Sequence, residues 1–79
     1  MPEITVKVID AEINKPLFGV VVAIDSKVYT TNHEGIARII VPPGTYILKI
    51  RSPFHEPVTQ KIEVMKDMTI EAKIRPVHL

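Results

Sequence analysis

The sequence contains no cysteine, no tryptophan, two tyrosines and two phenylalanines. Without cysteine, the chain has no disulfide, no thiolate zinc site and no cysteine nucleophile, and it is compatible with a reducing compartment. Sugar-binding sites usually present stacking aromatic rings, and this chain has few to offer. Carbohydrate therefore ranks behind protein as a predicted partner.

The sequence also lacks runs of like charge and long apolar stretches. Ten basic and nine acidic residues are interspersed, giving a net charge of +1, which disfavours nucleic acid and anionic membranes as partners. No apolar stretch approaches the ~20 residues that span a bilayer. The N-terminus alternates apolar and polar residues instead of showing a basic head and an apolar segment, so we expect a cytoplasmic protein. One glutamine and two asparagines, with no cysteine, form a composition seen in thermophiles.

The apolar residues present are mostly β-branched. Twelve isoleucines and ten valines stand against three leucines and four alanines. This ratio favours strands over helices. The chain of 79 residues is short enough to form one domain, residues 1–79, and its composition predicts an all-β fold.

Alternation of apolar and polar residues predicts seven strands, with no helical segment between them. We place them at residues 3–10, 20–25, 27–31, 36–41, 46–51, 58–64 and 68–75. Such a pattern favours a seven-stranded antiparallel Greek-key sandwich, with a small barrel as the alternative. The turn Pro42-Pro43-Gly44 lies between two of these runs, and we predict that it closes a β-hairpin.

Three motifs occur in order along the chain: Lys-Pro-Leu-Phe-Gly-Val-Val-Val at 15–22, Thr-Thr-Asn-His-Glu-Gly-Ile-Ala at 30–37, and Val-Pro-Pro-Gly-Thr-Tyr at 41–46. In this order and spacing they resemble the carboxypeptidase regulatory-like domains, which are transthyretin-like sandwiches. The resemblance covers nearly the whole chain and implies an accessory module of the kind appended to peptidases, surface proteins or carbohydrate-active enzymes. A fold of this kind hosts many functions.

Motifs of enzyme chemistry are missing. The sequence has no Gly-x-Ser-x-Gly, Gly-rich phosphate loop or His-Glu-x-x-His, and Ser26 and Ser52 fall in predicted turns without an assigned base. Some transthyretin-like sandwiches hydrolyse a urate-derived ring, but the ending Arg-Pro-Val-His-Leu at 75–79 lacks their Tyr-Arg-Gly-Ser signature. We therefore predict a protein that is not an enzyme and has no cofactor.

A metal site is the alternative function at one end of the predicted sandwich. If each strand crosses once, the loops at 11–18, 31–35 and 52–57 emerge together with the C-terminal tail. These loops carry the pairs His33-Glu34 and His55-Glu56, and Asp10, Glu12 and His78 lie at the same end. Imidazoles and carboxylates within reach of one another bind zinc or a similar ion, although their sequence spacing matches no standard zinc pattern.

Protein binding is the leading functional prediction. On strand parity, Ile36, Ile40 and Ile47 lie opposite the core-facing residues of their strands, and we predict that they form one exposed apolar patch on adjacent hairpin strands. Phe54 joins them as a candidate contact, with the alternative that it plugs the end of the sandwich. The predicted outcome is a protein-interaction or structural module, or a homodimer formed through this apolar sheet face.

Overall fold

The computed structural model describes residues 1–78, which form seven β-strands in two sheets and contain no helix. Those residues accordingly include no helix long and apolar enough to cross a membrane. The strands are β1 (Glu3–Asp10), β2 (Val21–Ile24), β3 (Lys27–Thr30), β4 (Ile36–Ile40), β5 (Gly44–Arg51), β6 (Val58–Val64) and β7 (Met68–Ile74). These bounds agree with the alternation in the sequence to within two residues at each strand end.

The two sheets pack face to face as a sandwich. Sheet A has the order β4-β1-β7 and sheet B the order β3-β2-β5-β6. In every strand with alternating sequence, the apolar side chains point into the sandwich. This removes β-branched side chains from water on the inner faces of both sheets. The buried core consists of Ile4, Val6, Val8, Val20, Val22, Ile24, Ala37, Ile39, Val41, Leu48, Ile50, Ile62, Val64 and Ile74. Two separate sheets with free edges exclude the small barrel.

The prediction of wholly antiparallel pairing is wrong at one place, because β1 and β7 pair in parallel. The chain crosses the sandwich seven times, so odd-numbered strands all run in one direction. Each of the other pairs joins an odd-numbered strand to an even-numbered one and is antiparallel: β1 with β4, β2 with β3, β2 with β5 and β5 with β6. Two odd strands that become neighbours have to be parallel.

The predicted hairpin around Pro42-Pro43-Gly44 is also wrong. Strand β4 pairs with β1 in sheet A, whereas β5 pairs with β2 and β6 in sheet B. The turn therefore carries the chain from one sheet to the other. The Tyr46 hydroxyl donates a hydrogen bond of 2.6 Å to the Pro42 carbonyl oxygen across it. The real tight hairpin joins β2 to β3 through Asp25-Ser26, where Asp25 has a φ of 50°.

Candidate functional site at the loop end

The loops predicted to emerge together do so. Loops 11–20, 31–35 and 52–57 and the tail 75–78 form one end of the sandwich, which we call the loop end. The Ala11 amide donates to the Ile74 carbonyl at 2.8 Å and the Glu56 amide to the Arg75 carbonyl at 2.8 Å. Loop 11–20 is bound to its own strand as well, through a bridge between Ile9 and Pro16. The loop end is therefore a set of mutually fastened segments.

A hydrogen-bonded chain of three side chains lies at the centre of the loop end. The Nε2 of His55 lies 2.8 Å from the Oδ2 of Asp10, and its Nδ1 lies 2.8 Å from the Oγ of Ser52. The side chains of His55 and Asp10 are 9% and 10% exposed. Asp10 is the last residue of β1, so this network ties the β5–β6 loop to the end of a core strand 45 residues away in sequence.

The chemistry of Asp10 fixes one proton position in this network, that on His55 Nε2. The Oδ1 of Asp10 accepts hydrogen bonds from the amides of Glu12 and Ile13. The hydrogen bond from His55, followed by those from Ile13 and Glu12, lowers the pKa of the Asp10 carboxyl below its ordinary value. An ionised carboxylate only accepts, so His55 Nε2 carries a hydrogen, and in the neutral ring Nδ1 accepts from the Ser52 hydroxyl.

The order Ser, His, Asp is also that of a hydrolase relay, and a neutral Nδ1 accepting from Ser52 is the arrangement of a general base. A structural role explains the same contacts. Ser52 and His55 share one turn, closed by the His55 amide donating to the Ser52 carbonyl at 3.2 Å. The neighbouring cleft is lined by Ala11, Glu12, Glu56, Arg75, Pro76 and His78. Ser52 is not among the residues that line it, so a substrate in this cleft would not face the Ser52 hydroxyl.

The four predicted metal ligands have other partners or face solvent. Exposed His33 stacks on Phe18, with ring centroids 4.2 Å apart and planes 2° apart, while both ring nitrogens of His55 are in hydrogen bonds. Glu34 and Glu56 are exposed. In residues 1–78, no three side chains of His, Cys, Asp or Glu lie together in a way that could hold a metal ion. The metal hypothesis gains no support from this geometry and stays a prediction.

His78, the other histidine of the loop end, forms an exposed pair with Glu12. Its Nε2 lies 2.6 Å from the Glu12 Oε1, and the two side chains are 73% and 54% exposed. The hydrogen bond with Glu12, and then the negative charge of that carboxylate, raise the pKa of His78 above its ordinary value. At this exposure, solvent screens the ion pair, so it contributes little to holding the C-terminal tail against loop 11–20.

The three isoleucines of the predicted apolar patch do not form one surface. Ile40 is 55% exposed and Ile47 39% exposed, as their strand parity predicts, and Ile36 is half-buried. Since β4 belongs to sheet A and β5 to sheet B, Ile36 and Ile40 lie on one outer face and Ile47 on the opposite one. A single partner could not cover all three through one flat contact, and a role for each in binding stays a prediction.

Exposed apolar side chains instead gather at the loop end. Phe54 is 76% exposed, which excludes the plugging role, and Phe18, Ile13 and Val77 are 64%, 62% and 47% exposed. The Val77 amide donates to the Phe54 carbonyl at 2.8 Å, which places these two residues side by side. Sequence reasoning named Phe54 but missed Ile13, Phe18 and Val77. The sequence feature that could have identified these three residues is that each is apolar and lies in a predicted loop or tail, where few positions belong to the core.

Comparison with known proteins identifies the fold. No protein-family model and no curated protein matches the chain. The structure of Klebsiella pneumoniae 5-hydroxyisourate hydrolase is similar with a TM-score of 0.76 at 18% identity, over 96% of this chain and 92% of that one. This likeness shows that the fold is a transthyretin-like β-sandwich, and at this identity it shows the fold alone.

Two further solved structures share the architecture. A type II cohesin–X-dockerin complex from Acetivibrio cellulolyticus has a TM-score of 0.68 at 22% identity, over 95% of this chain and 56% of that chain. The Caf1A usher C-terminal domain has a TM-score of 0.56 at 6% identity, over 94% and 97%. At these identities the likeness extends to the fold alone.

Proposed function

We propose that this chain is a non-catalytic module of the carboxypeptidase regulatory-like type that binds another protein through its loop end. One observation carries the proposal: four large apolar side chains, Ile13, Phe18, Phe54 and Val77, are exposed at one end of the sandwich, on loops and a tail that are hydrogen-bonded to one another. Large apolar side chains on a small charged domain are costly to leave in water, and their grouping marks a contact surface.

The loop end has the composition of a protein-binding surface. Protein interfaces combine aromatic and aliphatic anchors with a polar rim. Here, Phe18 and Phe54 supply exposed rings, and Glu12, Glu56, Arg75 and His78 line a cleft at the same end of the sandwich. Because the loops are already held by hydrogen bonds, a partner would order few additional groups on binding, and this lowers the entropic cost of association.

Two of the similar structures support the proposal through what is known of those proteins. One is a cohesin–X-dockerin complex, and the other is an usher domain whose conserved surface hydrophobic clusters are important for F1 antigen assembly. In the first case a sandwich of this architecture is part of a protein complex, and in the second its surface hydrophobic clusters matter for antigen assembly. The carboxypeptidase regulatory-like motifs add the expectation of an accessory module.

The proposal that the chain is not an enzyme has a direct test at Ser52. If the Ser52–His55–Asp10 network only fastens loops, a serine-reactive fluorophosphonate probe should leave Ser52 unlabelled, because activation of a serine needs more than a hydrogen bond to imidazole. Labelling that disappears in Ser52→Ala would overturn the non-catalytic part of the proposal and leave the binding part standing.

Binding at the loop end is tested with matched variants. Phe54→Ser removes the most exposed anchor, and Val28→Ser is the control, since Val28 is 65% exposed but lies on β3, away from the loop end. Affinity capture from a lysate should retain the same proteins with wild type and Val28→Ser and lose them with Phe54→Ser. Equal capture by both variants, with both folded by circular dichroism, would contradict the assignment of this surface.

A further inference from the structure

The two sheets differ in width by one strand. Sheet A has three strands and sheet B four, and the edges β3 and β4 meet on one side of the sandwich. On the other side, β6 therefore extends past β7. Gln60 pairs in register with the fully buried Leu48, so it points to the inner face, yet it is exposed. The inner face of β6 is thus partly uncovered beside β7.

The outer edge of β7 presents backbone hydrogen-bonding groups. The Ala11 amide donates to the Ile74 carbonyl at 2.8 Å, which shows that Ile74 faces the β1 side. Alternation along a strand then turns the N–H and C=O groups of Thr69, Glu71 and Lys73 toward the outer edge. In the part of the chain that the structure describes, β7 pairs only with β1.

This edge lacks most of the usual protections against strand addition, since its only charged side chains are the exposed Glu71 and Lys73. Natural edge strands are short, bulged, interrupted by proline or provided with inward-pointing charges. Strand β7 has seven residues, Met68–Ile74, and contains no proline. Its inward side chains Met68, Ile70 and Ala72 are all apolar, and each is only half-buried. A strand laid along β7 would bury them further.

The chain itself shows which geometry fits this edge. Immediately beyond β7, the Glu56 amide donates to the Arg75 carbonyl and the Val77 amide to the Phe54 carbonyl, each at 2.8 Å. His55 and Pro76 form an antiparallel bridge between these bonds. The segment 54–56 therefore occupies the first part of a fourth strand position in sheet A, antiparallel to the segment that follows β7. At Pro57 the chain leaves this position and enters β6.

We infer that the outer edge of β7, from Thr69 to Lys73, binds an extended peptide segment of another protein as an antiparallel fourth strand of sheet A. The peptide continues the line of residues 54–56 and lies over the uncovered part of the inner face of β6, at Gln60. It has apolar residues at alternate positions facing Ile70 and Ala72, and side chains of opposite charge across from Glu71 and Lys73. This site adjoins the loop end at residues 54–56, but it rests on the backbone groups of β7 and does not depend on the role of the loop-end anchors.

A second copy of the chain fits this edge less well. Symmetric pairing of two β7 edges would bring the overhanging β6 of one copy against β6 of the other, because β6 extends past β7 in each. A register centred on Glu71 would also place two carboxylates opposite each other, which is destabilising. A single strand has neither problem.

The test uses a displayed library of ten-residue peptides selected on the whole chain. Glu71→Pro removes one N–H from the outer edge, while Glu71→Ala loses the same carboxylate but keeps that N–H. Proline is tolerated at edge positions whose N–H is not bonded within the sheet. Selected peptides should alternate apolar and polar residues, bind Glu71→Ala nearly as wild type does and bind Glu71→Pro about tenfold or more weakly.

Hydrogen exchange supplies a second readout, since bound peptide should slow exchange at Thr69, Glu71 and Lys73. Thr69→Pro, also at an outward N–H, replaces Glu71→Pro if that variant fails to fold. Failure to select any binding peptide, or equal binding to the proline variants, would overturn the inference. Dimers of wild type and Glu71→Ala in light scattering, with monomers of Glu71→Pro, would overturn it in favour of a second copy.

Discussion

Replacing Gly35 with alanine should destabilise the domain much more than the same replacement at Gly19, although both glycines have positive φ. The φ values are 76° at Gly35 and 74° at Gly19. A Cβ at Gly35 would lie 2.7 Å from the Val8 carbonyl oxygen and 2.9 Å from the Pro16 Cβ, whereas at Gly19 it would meet no atom within 4 Å. The two sites share backbone strain and differ in crowding.

The magnitude follows from adding these effects. The left-handed conformation costs an alanine about 1 to 2 kcal/mol at either site. At Gly35, moving β1 or Pro16 adds about 1 to 3 kcal/mol, and weakening the 2.8 Å hydrogen bond from the Val8 amide to the Gly35 carbonyl adds up to about 1 kcal/mol. We expect about 2 to 6 kcal/mol for Gly35→Ala and about 1 to 2 kcal/mol for Gly19→Ala, so the two variants should differ by at least about 1 kcal/mol.

Such a loss is large for a chain of 79 residues, since domains of this size hold roughly 4 to 12 kcal/mol in total. Urea unfolding followed by circular dichroism measures both variants against wild type under identical conditions, with the m-value checked for constancy. Gly35→Ala should unfold at clearly lower urea. If the two variants lose the same free energy within about 0.5 kcal/mol, close packing against Val8 and Pro16 is not what requires glycine, and the reasoning fails.

Three further results are expected. Thr31→Val should cost about 2 kcal/mol in urea unfolding, because the buried Thr31 hydroxyl both accepts and donates a hydrogen bond; the exposed Thr30→Val should stay within about 0.5 kcal/mol of wild type. Folding lowers the pKa of Asp10, so the ionised carboxylate stabilises the folded state above pH ~3.9, and this stabilisation is lost as the pH falls through the folded-state pKa. The thermal midpoint of Asp10→Asn should therefore decline less steeply in acid than that of wild type. Parallel declines of the two midpoints would contradict this. Glu12 raises the pKa of His78, so this ion pair adds a small stabilisation to the folded state at pH values below ~6.5, and the stabilisation is lost as the pH rises through the folded-state pKa. NMR titration should find a lower His78 midpoint in Glu12→Gln than in wild type.

The positions and inward faces of the strands could be predicted because they are encoded locally. In β7, the strict alternation from Met68 to Ile74 predicted the observed strand, and in β5 the parity of Leu48 and Ile50 predicted their burial. Side chains of one parity share one face whatever strand lies beside them. Local pattern therefore determines strand and face without any knowledge of pairing.

Strand partners could not be predicted in the same way. Two apolar runs joined by a turn of proline and glycine are compatible both with a hairpin and with a crossing between sheets. In either case Ile39 and Leu48 point into the same core, and both are fully buried in the structure. Choosing between them requires the free energy of the whole assembly, including the parallel pairing of β1 with β7. The error about the isoleucine patch follows from the hairpin error.

The candidate site shows the same division. Counting strand crossings placed the loops at one end, but the contact between Asp10 and His55 spans 45 residues and leaves no local pattern. Its sequence signal is limited to a serine three residues before a histidine and an aspartate at a strand end. Both are common in turns, where these side chains bond to nearby backbone.

The two proposed surfaces meet at one short segment. Phe54, the most exposed of the four loop-end anchors, belongs to the same segment as Glu56, whose amide bonds to Arg75 at the end of the open β7 edge. A peptide strand along Thr69 to Lys73 would thus end next to the loop end. A strand edge alone buries little area compared with the ~800 Å² per partner of a standard interface. A partner that pairs with β7 and continues over Phe54 gains both the directional hydrogen bonds of the edge and the apolar contact of the anchors. Combined substitution of Glu71 by proline and Phe54 by serine should then weaken such a partner by more than either change alone.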